Sequence, residues 1–139
     1  TGKVQDLLRA NQLLLDQLPA DQFVPHASVL GEKIHVGRGT VLGEGVELVG
    51  PVMIGENCSL ARCRIGPYVT IGTGSDIQNA SIEHSIILGD ATIDGPLCLV
   101  DSMIGKSVII RSPAWGGDVP HRVVVGDKTV ILHGDFEHS

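Results

Sequence analysis

The chain predicts a parallel β-helix, and three observations carry that expectation. First, apolar residues recur at intervals of six or five from Val24 to Ile110: Val24, Leu30, Val36, Leu42, Leu48, Ile54, Leu60, Ile65, Ile71, Ile77, Ile82, Ile87, Ile93, Leu99, Ile104 and Ile110. An α-helix repeats every 3.6 residues and a half-buried sheet every 2.0, so a sustained period of six marks a solenoid of short strands and corners. Second, Gly31, Gly37, Gly43, Gly55, Gly66, Gly72 and Gly105 directly follow the apolar step, where a tight corner excludes a β-carbon or demands positive φ. Third, a small or branched residue returns four positions after that step, at Ser28, Thr40, Val46, Val52, Cys58, Val69, Ser75, Ala91 and Val108, which gives a second inward position.

Three repeats close one turn of a triangular prism, so residues eighteen apart should stack: Val24 under Leu42 under Leu60, Leu30 under Leu48 under Ile65, Val36 under Ile54 under Ile71. Five-residue steps shorten the later coils. About five coils fit between Val24 and Ile110, and at about 4.8 Å per strand the prism would stand roughly 24 Å tall. Burying each aliphatic side chain contributes about 1.5–3 kcal/mol, so stacking alone supplies the core.

Before the coils, Val4, Leu7, Leu8, Leu14, Leu15 and Leu18 follow helical spacing from about Lys3 to Leu18. Asp6 is expected in the first turn, where the macrodipole favours a carboxylate, and Pro19 ends the helix. The apolar stripe is expected to pack on the prism's side or on a neighbouring subunit. Outward coil positions are polar and mixed in charge, at Glu32, Lys33, Arg38, Glu44, Glu56, Arg62, Arg64 and Asp76. They form a solvated or subunit-facing surface, and Arg62, Arg64 and Tyr68 share one coil.

After Ile110 the period breaks at RSPAWGGDVPHR, whose prolines and glycines predict a loop covering the open end, with Trp115 as a lid over strand edges. Two apolar runs about Gly126-Asp127, between Arg122 and Leu132, predict a hairpin or a pair of short strands. The tail from His133 is expected to fray. The division is thus residues 1–22 as helix and linker, 23–111 as β-helix and 112–139 as capping loop, short strands and tail.

Composition narrows the function. Aromatic residues are 3% of the 139, in keeping with a prism too narrow for large rings. A formal charge of −6 offers no basic footprint, which argues against nucleic acid or an anionic membrane as partner. No apolar run approaches a membrane span and the N-terminus lacks signal-peptide form. Cys58, Cys63 and Cys98 are odd in number and without a CxxC pair, which reads as reduced thiols in a cytoplasmic protein.

The segments LGEKIH-VGRGTV-LGEGVE and IGPYVT-IGTGSD resemble the hexapeptide-repeat proteins. That resemblance implies a left-handed coil, an exception to the usual right-handed crossover, and the period itself does not fix the hand. Hexapeptide acyltransferases, which use acetyl-CoA, employ a histidine base and commonly a long loop thrown out of one coil. His35 and His84 are the candidates here, yet no step between Val24 and Ile110 exceeds six residues. The histidine-bound zinc of hexapeptide carbonic anhydrases finds no matching pair among His26, His35, His84 and His121. Gly72 and Gly74 form a repeat corner, with no helix behind them to cradle a phosphate.

More specific pieces lie at the ends. TGKVQDLLRANQLLLD (Thr1 to Asp16), IEHSIILGDATIDGPLCLVDSMIGKSVIIR (Ile82 to Arg111) and HRVVVGD (His121 to Asp127) are similar to the C-terminal part of long-form glucose-1-phosphate thymidylyltransferases. The resemblance covers nearly the whole chain. It implies a parent enzyme that joins a nucleoside triphosphate to a sugar 1-phosphate with Mg²⁺, and whose catalytic groups lie in an N-terminal domain missing from this segment. No catalytic, cofactor-binding or metal residue is therefore assigned here, and no cofactor is expected in the segment. The implied role is oligomerisation, with a trimer favoured, and scaffolding, the first helix hinging against the catalytic domain. The rivals are a hexapeptide acyltransferase acting through His35 or His84 and a purely structural oligomer.

Overall fold

A computed structural model describes residues 2–19, 28–111 and 119–132. Helix α1 (Gly2–Asp16) precedes six turns of a parallel β-solenoid. The first turn holds β1 (Ser28–Leu30), β2 (Ile34–Val36) and β3 (Val41–Leu42), and the second holds β4 (Val46–Val49), β5 (Val52–Ile54) and β6 (Ser59–Ala61). The third holds β7 (Cys63–Ile65), β8 (Val69–Ile71) and the start of β9 (Asp76–Glu83), which bends through a corner into the fourth. There it is followed by β10 (Ser85–Ile87) and by β11 (Thr92–Val100), which in turn runs on into the fifth turn with β12 (Met103–Ile104) and β13 (Ile109–Arg111). The sixth comprises β14 (Pro120–His121), β15 (Val124–Val125) and β16 (Val130–Ile131).

Three walls result. The first stacks β1, β4, β7, the end of β9, the end of β11 and β14. The second stacks β2, β5, β8, β10, β12 and β15, and the third β3, β6, β9, β11, β13 and β16. Every pairing is parallel, so each strand needs a full turn of chain before its neighbour arrives.

The inward columns follow from this register. Val36, Ile54, Ile71, Ile87, Ile104 and Val125 line the second wall, and Leu42, Leu60, Ile77, Ile93, Ile110 and Ile131 line the third. On the first wall Leu48, Ile65, Ile82 and Leu99 stack, all buried. The expected pairs Leu42 on Leu60, Leu48 on Ile65, and Val36 on Ile54 on Ile71 are present. Leu30 is displaced: it pairs with Val49, and Val29 sits opposite Leu48. At the open first turn both remain well exposed, so burial does little to choose between the two registers.

The six-residue pattern continues past the break at residue 111. The two runs expected as a hairpin or separate strands do not pair with each other: β15 joins β12 and β16 joins β13, both parallel, as a sixth turn beyond the five expected. Ile131 is buried on Ile110 and Val125 packs under the core, an apolar gain that two antiparallel strands on the end would forgo. Trp115, expected as a lid, with the rest of 112–118, the tail from 133, and residues 20–27, which include His26 and Val24, lie outside the described residues.

Polar groups enter the interior only at corners. Ser85 Oγ donates to Glu83 O at 2.7 Å and accepts from Ser102 N at 3.1 Å, and Ser102 Oγ accepts from Val123 N at 2.9 Å. A second relay runs through Thr40, which donates to Gly55 O at 2.7 Å and accepts from Cys58 N at 3.1 Å, and through Ser75, which accepts from Ala91 N at 3.3 Å. Each hydroxyl replaces a ladder bond lost where the backbone turns, and no buried side-chain polar atom among the described residues lacks a partner.

Helix α1 lies across β8 and β10 of the second wall. Its inward stripe is Val4, Leu8, Asn11 and Leu15, continued past the helix end by Leu18, and Leu15 alone is fully buried. Leu7 and Leu14, expected in the stripe, face outward with Leu13, because the polar Asn11 takes the central inward place. The helix starts at Gly2, so Asp6 falls in its second turn, not its first.

Two comparisons test this packing. Replacing Ile71 with aspartate puts an unpaired charge on a fully enclosed column and is expected to cost about 4 kcal/mol or more, whereas Glu44→Ala, at an exposed corner, should be nearly silent in thermal melts followed by circular dichroism. Equal melting temperatures would disprove the columns. Gly66 has φ +105°, and a β-carbon there would stand 1.9 Å from Val49 O, whereas one on Gly126 meets nothing within 4 Å. Gly66→Ala should therefore lose at least ~2 kcal/mol and Gly126→Ala little.

Candidate functional site

The prism interior is filled, so any site must be on its surface. The four candidate histidines are not brought together. His35 lies on the outer side of β2, its Nε2 3.1 Å from Pro19 O, which ties the chain leaving α1 to the first turn. His84 sits at the corner between β9 and β10, three turns further along and so about 14 Å away along the stack. His121 occupies β14 opposite Leu99, and His26 is outside the described residues. Among the described residues no group of three or more histidine, cysteine, aspartate or glutamate side chains is arranged to hold a metal ion.

The cysteines are equally separate. Cys58 and Cys63 are buried, and Cys98 is half-buried on the outer side of β11. Cys58 Sγ donates to Gly72 O at 3.3 Å, in the same corner column as Thr40 and Ser75. Burial pushes the Cys63 thiol up to about 12, against a weaker opposing effect of its hydrogen bond with the Ala61 backbone.

The most elaborate surface feature is where α1 meets the corner column made by Tyr68, His84 and Asp101. All three have positive φ, at 61°, 46° and 48°, because each occupies the left-handed turn position between the first and second walls. Tyr68 donates its hydroxyl to Asp16 Oδ1 at 2.8 Å, and this bond, followed by desolvation, raises the phenol above its ordinary value. Asn11 Nδ2 donates to Tyr68 O at 3.5 Å and its Oδ1 accepts from Thr70, while Lys33 Nζ donates to Asp16 O. The Tyr68 and His84 rings lie 5.2 Å apart at 40°. Between helix and corner is a half-open cavity of about 450 Å³, lined by Gln5, Asp6, Arg9, Gln12, Tyr68, His84 and Asp101 among others. The sequence singled out His84 and Tyr68 but not the cavity, which depends on a helix whose docking surface includes Asn11.

A second depression of about 470 Å³ surrounds Arg62 and Arg64. Both guanidinium groups are engaged: Arg62 donates to Asn79 Oδ1 at 3.1 Å and Gln78 Oε1 at 3.0 Å, and Arg64 pairs with Glu47 at 2.9 Å. These contacts join successive turns at the surface, and as an exposed ion pair the last adds little to stability.

Fold and surface together define a β-solenoid module: a solid prism with one helix strapped to a wall. The chain is 28% identical over 133 residues to a glucose-1-phosphate thymidylyltransferase of Streptomyces antibioticus, covering 94% of this chain and 37% of that protein. It is 30% identical over 133 residues to the enzyme of that name from Streptomyces griseus, covering 93% and 36%. It is 30% identical over 138 residues to the low-salt glycan biosynthesis nucleotidyltransferase Agl11 of Haloferax volcanii, covering 94% and 38%. No family model matches the chain. The chain is a homologue of the C-terminal region of sugar nucleotidyltransferases named glucose-1-phosphate thymidylyltransferase, and it spans little more than a third of the length of these relatives. No helix among the described residues is long and apolar enough to cross a membrane.

Two measurements probe this surface. In the native chain a thiol-disulfide reagent at pH 8 should label Cys98 first and reach Cys63 only on unfolding, since a buried thiol with its pKa near 12 holds almost no thiolate at that pH. Labelling of Cys63 at the rate of Cys98 would contradict its enclosure. Tyr68→Phe removes the bond to Asp16 and should raise amide exchange in α1 about fivefold, the effect of ~1 kcal/mol, while the solenoid amides stay protected.

Proposed function

We propose that this chain is the assembly and scaffold module of a sugar-1-phosphate nucleotidyltransferase, and that the parent enzyme converts glucose 1-phosphate and dTTP into dTDP-glucose and pyrophosphate with Mg²⁺. What carries the reading is a combination: similarity along almost the whole chain to proteins with that activity in their name, over only 36–37% of their length. The interior columns support it, because a prism filled by aliphatic side chains offers walls for contact and no internal chamber for reactants. In this reading nucleotidyl transfer belongs to a separate catalytic domain that α1 leads from, and the module works in the cytoplasm.

The favoured assembly is a homotrimer. The solenoid has three walls, and among the described residues α1 lies on the second of them. On the third wall the outward positions of Val41 and Val130 are exposed, and on the first the outward side carries Glu47 and Arg64.

Sedimentation velocity of the 139-residue chain is expected to give a species of three times the monomer mass that persists at micromolar concentration. A monomer at every concentration would overturn the assembly role. Fusing the module to, and deleting it from, the nucleotidyltransferase encoded with it tests the enzymatic parent: dTDP-glucose synthesis from the catalytic domain should survive the deletion while the trimer is lost.

A further inference from the structure

The cavity between α1 and the corner of Tyr68, His84 and Asp101 has a chemistry that the assembly role does not use. Of its lining residues, Gln5, Asp6, Arg9, Gln12, His84 and Asp101 carry polar side chains with no hydrogen bond or ion pair to any other described residue. The contrast with the second depression is direct, since both arginines there are held by neighbouring turns. Six exposed planar polar groups, two amides, two carboxylates, a guanidinium and an imidazole, thus line one half-open space of about 450 Å³. That volume lies within the ~300–1,000 Å³ usual for small-molecule sites.

One wall is aromatic and fixed. The Tyr68 hydroxyl donates to Asp16, which orients its ring, and the His84 ring stands beside it at 5.2 Å. Both residues hold left-handed backbone at successive turns, so the two rings are placed by the solenoid's own repeat. A ring face beside in-plane donors and acceptors suits a flat molecule with C–H groups on one face and hydroxyls around its rim.

Charge decides against the phosphorylated alternatives. Asp6 and Asp101 set two carboxylates against the single guanidinium of Arg9, on a chain of net charge −6. A phosphate group would meet net repulsion here.

We propose that this cavity is a binding site for a neutral saccharide of one or two pyranose rings, stacked on Tyr68 and His84 with its hydroxyls shared among Asp6, Arg9, Gln5, Gln12 and Asp101. The site goes beyond the scaffold reading and does not depend on the oligomeric state. Because α1 forms one side of the cavity, the bound saccharide also bridges the helix to the solenoid and so stabilises their docking.

Saturation-transfer NMR on the 139-residue chain, with the methyl glycosides of glucose, galactose and mannose and with maltose as probes, tests the proposal. The expected result is saturable transfer to ring C–H protons of at least one probe, with Kd on the order of 1 mM. That transfer should fall at least fivefold in His84→Ala and in Asp101→Asn, and stay unchanged in Val41→Ser, an exposed outward position on the third wall. Retention of the wild-type amide pattern in each variant shows that the fold is intact. Absence of saturable transfer from every probe, equal transfer in His84→Ala, or tighter binding of inorganic phosphate or dTMP at the same amides would each overturn it.

Discussion

The structure depends on one constraint: each turn must return its inward side chains to the columns of the turn below. Parallel strands have no tight hairpin to set their register, so the backbone ladder alone would tolerate slippage. What fixes it is the interior, where Ile54 meets Ile71, Leu60 meets Ile77 and Ile65 meets Ile82, each within a shell of similar residues. A slip of one residue would send all of these outward and draw Thr70, Gln78 and Arg64 in. The penalty rises with every turn added, which is why the middle turns are uniform and the first is not. At that end, Val29 and Leu30 have no turn beneath them among the described residues, and their register departs from the simple count.

The same constraint governs where polar chemistry is admitted. Walls are flat and their inner positions aliphatic, but at a corner the ladder is interrupted and a backbone group needs another partner. Ser85 and Ser102 in one corner column, and Thr40, Cys58 and Ser75 in another, are short side chains that reach the neighbouring turn without widening the prism. Buried hydroxyls in this protein are thus part of the backbone's own accounting, and their presence signals a corner rather than a reactive centre.

Much of this was legible in the chain because the period is a property of consecutive residues. The columns from Leu42 to Ile110, the parallel pairing and the helix with its end near Pro19 follow from spacing and from a few special residues. The sixth turn was not legible, because the segment between Arg111 and Val119 resets the count, and Val124-Val125 with Val130-Ile131 read locally as a hairpin or a pair of short strands around Gly126-Asp127, with no coil to join. Only the apolar columns waiting at Ile104 and Ile110 decide in favour of a further coil. The helix posed a different problem. Six leucine and valine positions suggested one broad stripe, yet Asn11 takes the central inward place because Thr70 and the Tyr68 carbonyl offer it partners. No pattern of hydrophobicity contains that information, and the cavity that results was invisible for the same reason.

The mode of attachment of α1 has consequences for what the module can transmit. A helix held by a wide apolar face would be an inseparable part of the core, but α1 buries only Leu15 fully, half-buries Val4 and Leu8, and relies otherwise on Tyr68, Asn11, Thr70 and Lys33 for contacts that water can replace. Its free energy of docking is therefore small beside that of the stacked columns, and the two parts of the structure separate into a rigid prism and a strap with local opening of its own. Anything bound between them acts on the weaker joint, because occupancy adds contacts to both sides at once while the prism barely responds. A chemical signal is most effective at a joint of this kind: the ligand need only supply the difference between two docked states of a single helix, a far smaller energy than reshaping a solenoid whose every turn is held by the next.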